Sequence, residues 1–231
     1  LIVKQIKISK MKTSVKLSTP KGRTLSLIFV FAISLLSTFT LQSCKKETVS
    51  PLDSEQYAQL HEAMHTLWAD HMQYTYATVD AFFNNGDALS SNLTRLLKNQ
   101  EDIGNGIKPY YGEAAGDSLT SLLKAHINGA VPILTAVKNG TDPTAAINDW
   151  YANAKLIGQF LESANPKNWK GTEMEDMMKT HIDQTIKYAL DLHNKDYTNA
   201  IKNYDIAFAH MTEMMADMLS QGIAKQFPNK F

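Results

Sequence analysis

The chain has 231 residues, 23 Lys and Arg against 23 Asp and Glu, and one cysteine. A single domain of this size buries roughly 70% of its unfolded surface. One cysteine excludes an internal disulfide, so the fold must rest on its core. The charge is unevenly placed: residues 1–43 hold seven of the basic residues and no acid, leaving sixteen basic against 23 acidic residues downstream. An acidic domain with no basic cluster interleaved with aromatics is repelled by a phosphate backbone, so nucleic acid is excluded as an expected partner.

Residues 1–43 read as a secretory signal. Lys4, Lys7, Lys10, Lys12, Lys16, Lys21 and Arg23 form a basic region, and the apolar run TLSLIFVFAISLLSTFTL follows. Met11 is a more natural start than Leu1, and the apolar run is too short and too rich in Ser and Thr for a membrane span. The run ends in Leu41-Gln42-Ser43-Cys44, which resembles the lipobox of bacterial lipoproteins. The resemblance implies cleavage before Cys44, lipidation of that cysteine, and residence at the bacterial cell envelope, periplasmic or surface-exposed. Residues 44–52 are then a short polar tether. Lipid chains contribute about 0.8 kcal/mol per buried methylene, with Lys45 and Lys46 the local electrostatic help.

From residue 53 to 231 the pattern is helical. Asp53 and Gln56 read as a capping box, and Leu60, Met64, Leu67, His71, Tyr74, Thr78 and Phe82 recur three and four residues apart on one face. Asn85-Gly86-Asp87 stops this helix and starts a partner with Leu93, Leu96, Ile103 and Ile107 inward. That partner is expected to fray through Gly104 and Gly106 and to break at Pro109, with PYYGEAAGD as the link onward.

A second pair opens near Asp117 with Leu119, Leu123, His126, Ala130, Ile133 and Val137 aligned, and Pro132 predicts a kink. Its partner begins at Asp142-Pro143 and carries Ile147, Trp150, Ala154, Ile157 and Leu161. The third pair starts at Thr172, runs through Met174, Met178, His181, Thr185, Tyr188 and Leu192, and returns through Ile201, Tyr204, Phe208, Met211, Met215, Met218 and Gly222. No segment alternates with period two, so the expected fold is all-α, a bundle of three antiparallel helix hairpins. His71, His126 and His181 stand 55 residues apart, the signature of a hairpin present in three copies. Such a period also suits an open solenoid; three histidines facing one interior favour a closed bundle.

Each hairpin is expected to bury one imidazole together with one amide or carboxylate from its returning helix: Asn99, Asn153 and Asp205. Leaving such groups unpaired costs about 1 to 3 kcal/mol each, so they should find partners. Three outcomes stand open. Each histidine bonds across its own hairpin; or His71, His126 and His181 converge with Asp205 on a divalent metal such as zinc, iron or copper; or they line a pocket for a small organic ligand.

Elsewhere, Glu62 and His65 make one Glu-x-x-His, a spacing that di-iron bundles use twice. His61 and His65 lie one turn apart and could chelate a surface metal, but near a helix start solvation is the expectation. His210, Glu213 and Asp217 share a late helical face. The methionines at 174, 177, 178, 211, 214, 215 and 218 are expected to fill the core. No phosphate loop, nucleophile elbow, paired catalytic carboxylates or cysteine nucleophile is present, so no reaction class is indicated.

LWADHMQYT, RLLKNQEDIGNGIKPYYG, WYANAKLIGQFLESANPKNW, MMKTHIDQT and MADMLSQGIAKQFP resemble a family of uncharacterised bacterial all-helical proteins with LWxxHVxWT, RLLxNxxDxGN, WYxNAxxIAxFL, MLxxHLxLT and GIxxQFP. The chain differs at Tyr74, where the pattern has tryptophan, and at Tyr76, where it has arginine. The three histidines, Asn99, Asp102, Asn105, Trp150 and Asn153 fall on motif positions. The resemblance implies no activity; it makes Asn99, Asp102, Asn153 and Trp150 the candidate ligand-binding residues, with a small ligand or an envelope protein as partner.

If Cys44 carries the lipid, the protein fractionates with membranes and Cys44→Ser moves it to the soluble fraction; retention of the variant in the membrane pellet contradicts the lipobox reading.

Overall fold

The computed structural model describes residues 50–231. The signal segment, Cys44 and most of the tether lie outside the described residues. After a 3-10 turn at Pro51–Asp53 come α1 (Glu55–Asn84), α2 (Gly86–Tyr111), α3 (Glu113–Asn139), α4 (Thr144–Ala164), α5 (Gly171–His193), α6 (Tyr197–Ala209), a π-helical segment (His210–Met215) and α7 (Ala216–Gln226). The last three are continuous, so six rods make the fold, and it is all-α with no strand among the described residues. None of these helices is long and apolar enough to cross a membrane.

Each rod packs on the next along the chain, and α7 returns to pack on α1. α1 and α3 also touch α5, so the odd-numbered helices meet in the middle. A ring closed in this way is a bundle, not an open solenoid. The core follows the expected stripes: Met64, Trp68 and Met72 of α1, Leu96 and Ile103 of α2, Leu123 and Ile133 of α3, Ile157 of α4, and Met174, Met178 and Ile182 of α5 are all buried. Met211 and Met215 join them as filling, while Met214 is exposed.

Local chemistry sets the boundaries, in three places against expectation. The α1 cap is Ser54, whose Oγ accepts from the Tyr57 N–H at 3.0 Å; Asp53 is one residue too early and sits in the 3-10 turn. The link after α2 is not a loop but Gly112 alone, at φ 84, a backbone state that suits glycine. Pro109 lies in the last turn of α2, where the helix is already ending. Pro132 stands inside α3, which continues to Asn139 and closes on the left-handed Gly140.

Gly104 does not fray α2. It is buried, and a Cβ there would lie 2.6 Å from the Gly116 carbonyl oxygen of α3 and collide with Thr120. Glycine at 104 lets the two backbones approach closely. The third hairpin departs furthest from its predicted stripe. Ile201 is 56% exposed, and α6 buries Ala200, Asn203 and Ala207 instead.

The segment Asn165–Lys170 between α4 and α5 fastens α7. Asn165 Nδ2 donates to the Gly222 carbonyl at 2.8 Å, and the buried Trp169 indole donates to the Met218 carbonyl at 3.2 Å. Gly222 has no Cβ, which is what lets that indole lie against the helix.

Gly104→Ala must push α2 from α3 by backbone movement, and overpacking of this kind costs about 1 to 3 kcal/mol. A lower urea midpoint with an unchanged slope is the expected result; an unchanged midpoint contradicts the close-packing account.

Candidate functional site

The three histidines meet. His71 on α1, His126 on α3 and His181 on α5 are each at most 2% exposed, and their rings form a row with His181 central. Its centroid lies 5.5 Å from that of His71 and 5.8 Å from that of His126. Trp68 and Trp150 close the two ends of the row, 5.5 Å from His71 and 5.0 Å from His126.

A common brace lies behind each ring. In every hairpin, a side chain from the returning helix donates to the carbonyl four residues before the histidine. Asn99 Nδ2 donates to Leu67 O at 2.9 Å, and Asn153 Nδ2 donates to Leu122 O at 3.3 Å. In the third hairpin the donor is His210 Nε2, 3.0 Å from Met177 O. Each of these carbonyls has a second lone pair available beyond its helical bond.

Asp205 does not take part. It is exposed on α6, and the position in register with Asn99 and Asn153 is Ala207, which has nothing to donate. The brace has moved to His210 in the π-helical segment.

The partners fix the tautomers. The Asn153 amide nitrogen faces Leu122 O, so its Oδ1 faces His126 Nδ1 at 2.9 Å and accepts a hydrogen bond from its N–H. His126 Nε2 is then a bare lone pair, buried and without a partner among the described residues. Gln100 Nε2 shares its two hydrogens among Leu96 O at 2.9 Å, Asn99 Oδ1 at 3.1 Å and His71 Nδ1 at 3.2 Å; facing that donor, His71 Nδ1 is the acceptor and the proton of His71 sits on Nε2. His181 Nδ1 is likewise buried without a partner. The expectation of one bond across each hairpin thus holds directly for His126, holds through Gln100 for His71, and fails for His181.

All three imidazoles are neutral near pH 7. Burial, helped by His126, holds His71 at about 3; burial holds His126 at about 4, against the opposing bond from Asn153. His181 is held well below the usual histidine range by burial, then by its neighbours His71, His126 and His210. In this row the ligand nitrogens of the three do not all lie within 4.8 Å of one another, as those of another cluster do.

An apolar cavity of about 150 Å³ opens beside the row. His71, His126, His181 and Trp150 line it together with aliphatic side chains such as Val79, Leu96, Ile133 and Ala189. Val131, which is 42% exposed, also lines it. Of the candidate ligand-binding residues, only Trp150 faces this chamber, and its indole is held by a 2.7 Å bond to His126 O. Asn99 and Asn153 are braces. Asp102 belongs to a surface ion network, 2.7 Å from Lys98 and 3.7 Å from Arg95, because its place on α2 turns it outward.

A second cluster unites residues that sequence patterns suggest only separately. His61 and His65, expected to be solvated, both reach Asp217 of α7. The signal was present: residues 61–65 read His-Glu-Ala-Met-His, the H-E-x-x-H spacing that puts two imidazoles on one helical face. The pair itself is legible in the spacing; its common partner Asp217, more than 150 residues away, is not. Gln100 as the partner of His71, and His210 as the brace on Met177 O, were also missed, because neither occupies the repeated position.

Comparison adds no name to this site: no protein-family profile, curated protein or solved structure matches the chain.

The folded protein holds these histidines below the usual value of 6.5, so the unfolded chain binds more protons as pH falls. Stability contributed by their neutrality is complete above pH 6.5 and is lost as pH drops toward 4 and then 3. For His126 alone the gap between 6.5 and about 4 corresponds to roughly 3 kcal/mol. Urea midpoints followed by circular dichroism should be flat from pH 8 to 7 and fall steeply below 6.5. His181→Leu should flatten that fall; a parallel curve for the variant contradicts this origin.

Proposed function

We propose that the bundle is a non-catalytic binding domain held at the bacterial cell envelope by lipid on Cys44, and that its ligand is a small, mainly apolar molecule carrying one hydrogen-bonding group. The observation that carries the reading is an apolar cavity lined in part by three buried, neutral imidazoles, two of which carry a nitrogen without a partner among the described residues. A cavity of about 150 Å³ suits a molecule on the scale of benzene.

His126 lines the cavity and carries at Nε2 a buried acceptor without a partner among the described residues, so a ligand O–H or N–H that reaches it is favoured over a plain hydrocarbon. A buried acceptor without a donor costs about 1 to 3 kcal/mol, which a donating ligand recovers. Neutral rings keep an anion from being drawn in by charge, so a hydroxyl suits the site better than a carboxylate. The lipobox and the motifs quoted above support the envelope setting.

Titration calorimetry with phenol, benzene and benzoate tests this. Phenol should bind more tightly than benzene by about tenfold or more, the equivalent of one recovered hydrogen bond, and benzoate should not bind. Ala130→Phe, which fills the cavity from α3, should abolish phenol binding without lowering the thermal midpoint. Failure of both phenol and benzene to bind at millimolar concentration contradicts the proposal.

A further inference from the structure

His61 and His65 lie one turn apart on α1 with ring centroids 4.3 Å apart. Both Nε2 atoms reach the same carboxylate oxygen, Asp217 Oδ1, at 2.8 and 2.7 Å. One ligand atom from each of the three lies within 4.8 Å of the others, and this is the one such group of His, Cys, Asp and Glu found among the described residues. Two neutral donors and one carboxylate form a common ligand set for zinc. The side chains are 37%, 32% and 36% exposed, which leaves room for water as a fourth ligand.

Ligand atoms about 2 Å from a tetrahedral metal stand roughly 3.3 Å apart. The nitrogen-to-oxygen distances therefore need to open by about half an ångström, a movement within reach of partly exposed side chains. The imidazole protons now on Nε2 would move to the outward Nδ1 atoms, freeing both Nε2 lone pairs for the ion.

Two further features aim Asp217 at this spot. The π-helical segment His210–Met215 ends one residue before Ala216, whose N–H reaches back five residues to Met211 O. One extra residue in a turn rotates everything after it by about 100°. Without it, α7 would present a different face to α1. The bonds from Asn165 and Trp169 then hold α7 at that rotation.

We propose that His61, His65 and Asp217 bind one divalent transition metal of the zinc class, with water completing the shell, and that the ion ties α7 to the start of α1. This site is separate from the cavity and from the core histidines, and it does not depend on the ligand proposed for them.

The test is zinc titration calorimetry on the full chain purified without a metal-affinity tag, with cobalt substitution read by visible absorption. One equivalent of zinc should bind, cobalt should give the intense bands of a tetrahedral site, and zinc should raise the thermal midpoint. His65→Gln and Asp217→Asn should each weaken binding at least tenfold and remove the thermal shift, with helicity by circular dichroism unchanged. Glu62→Gln, which alters the motif but no ligand, and His181→Leu, which alters the core row, should leave zinc affinity within twofold. Absence of saturable binding overturns the proposal. So does binding that persists in both ligand variants, or binding that is lost in His181→Leu while those two retain it.

Discussion

A neutral imidazole in a dry interior costs free energy for every nitrogen left unbonded, and three such rings stand in one row where α1, α3 and α5 meet. Burying them without charge depends on the closure of the whole ring of helices. A bundle open at any seam would let water in, and protonation would follow. The packing of α7 back onto α1 is therefore a condition for the chemistry at the centre as well as a detail of topology.

The brace behind each ring ties that chemistry to the repeat. A donor on the returning helix grips the carbonyl one turn before the histidine, and so sets the depth and rotation of one helix against the other. Two copies use an asparagine at the repeated position. In the third, Ala207 occupies that place, and the donor comes from His210, at the start of the π-helical segment. His210 lies three residues beyond Ala207 on the same buried face of a still regular helix, and the extra residue that follows turns Asp217 toward His61 and His65. Departures from the repeat in one hairpin thus serve both the core row and the surface cluster.

The two polar sites differ in physical character. In the core, desolvation dominates: imidazoles held at about 3 and 4 act as neutral donors and acceptors beside apolar walls. At the surface, two histidines share one carboxylate oxygen within reach of solvent. Exposed ion pairs of that kind add little to stability by themselves. Bringing three ligands to one point from two distant parts of the chain is a positional property, and it depends on α7 being held by Asn165 and Trp169.

Helical periodicity, turn residues and the 55-residue spacing of His71, His126 and His181 determined the class of fold, the number of hairpins and the inward direction of the three rings, because each is a local or repeating property of the chain. They could not determine register where the repeat breaks. The stripe through Ile201 continued a regular helix across a segment that is π-helical, and so placed Ile201 and Asp205 inside when both are exposed. They also misjudged Gly104, since fraying and close approach both call for glycine and only the neighbouring α3 distinguishes them. The cavity, the tautomers and the junction of His61 and His65 with Asp217 were decided by tertiary structure alone. Each depends on distances between atoms more than twenty residues apart in sequence, and no pattern of spacing along one helix encodes which face of another will meet it.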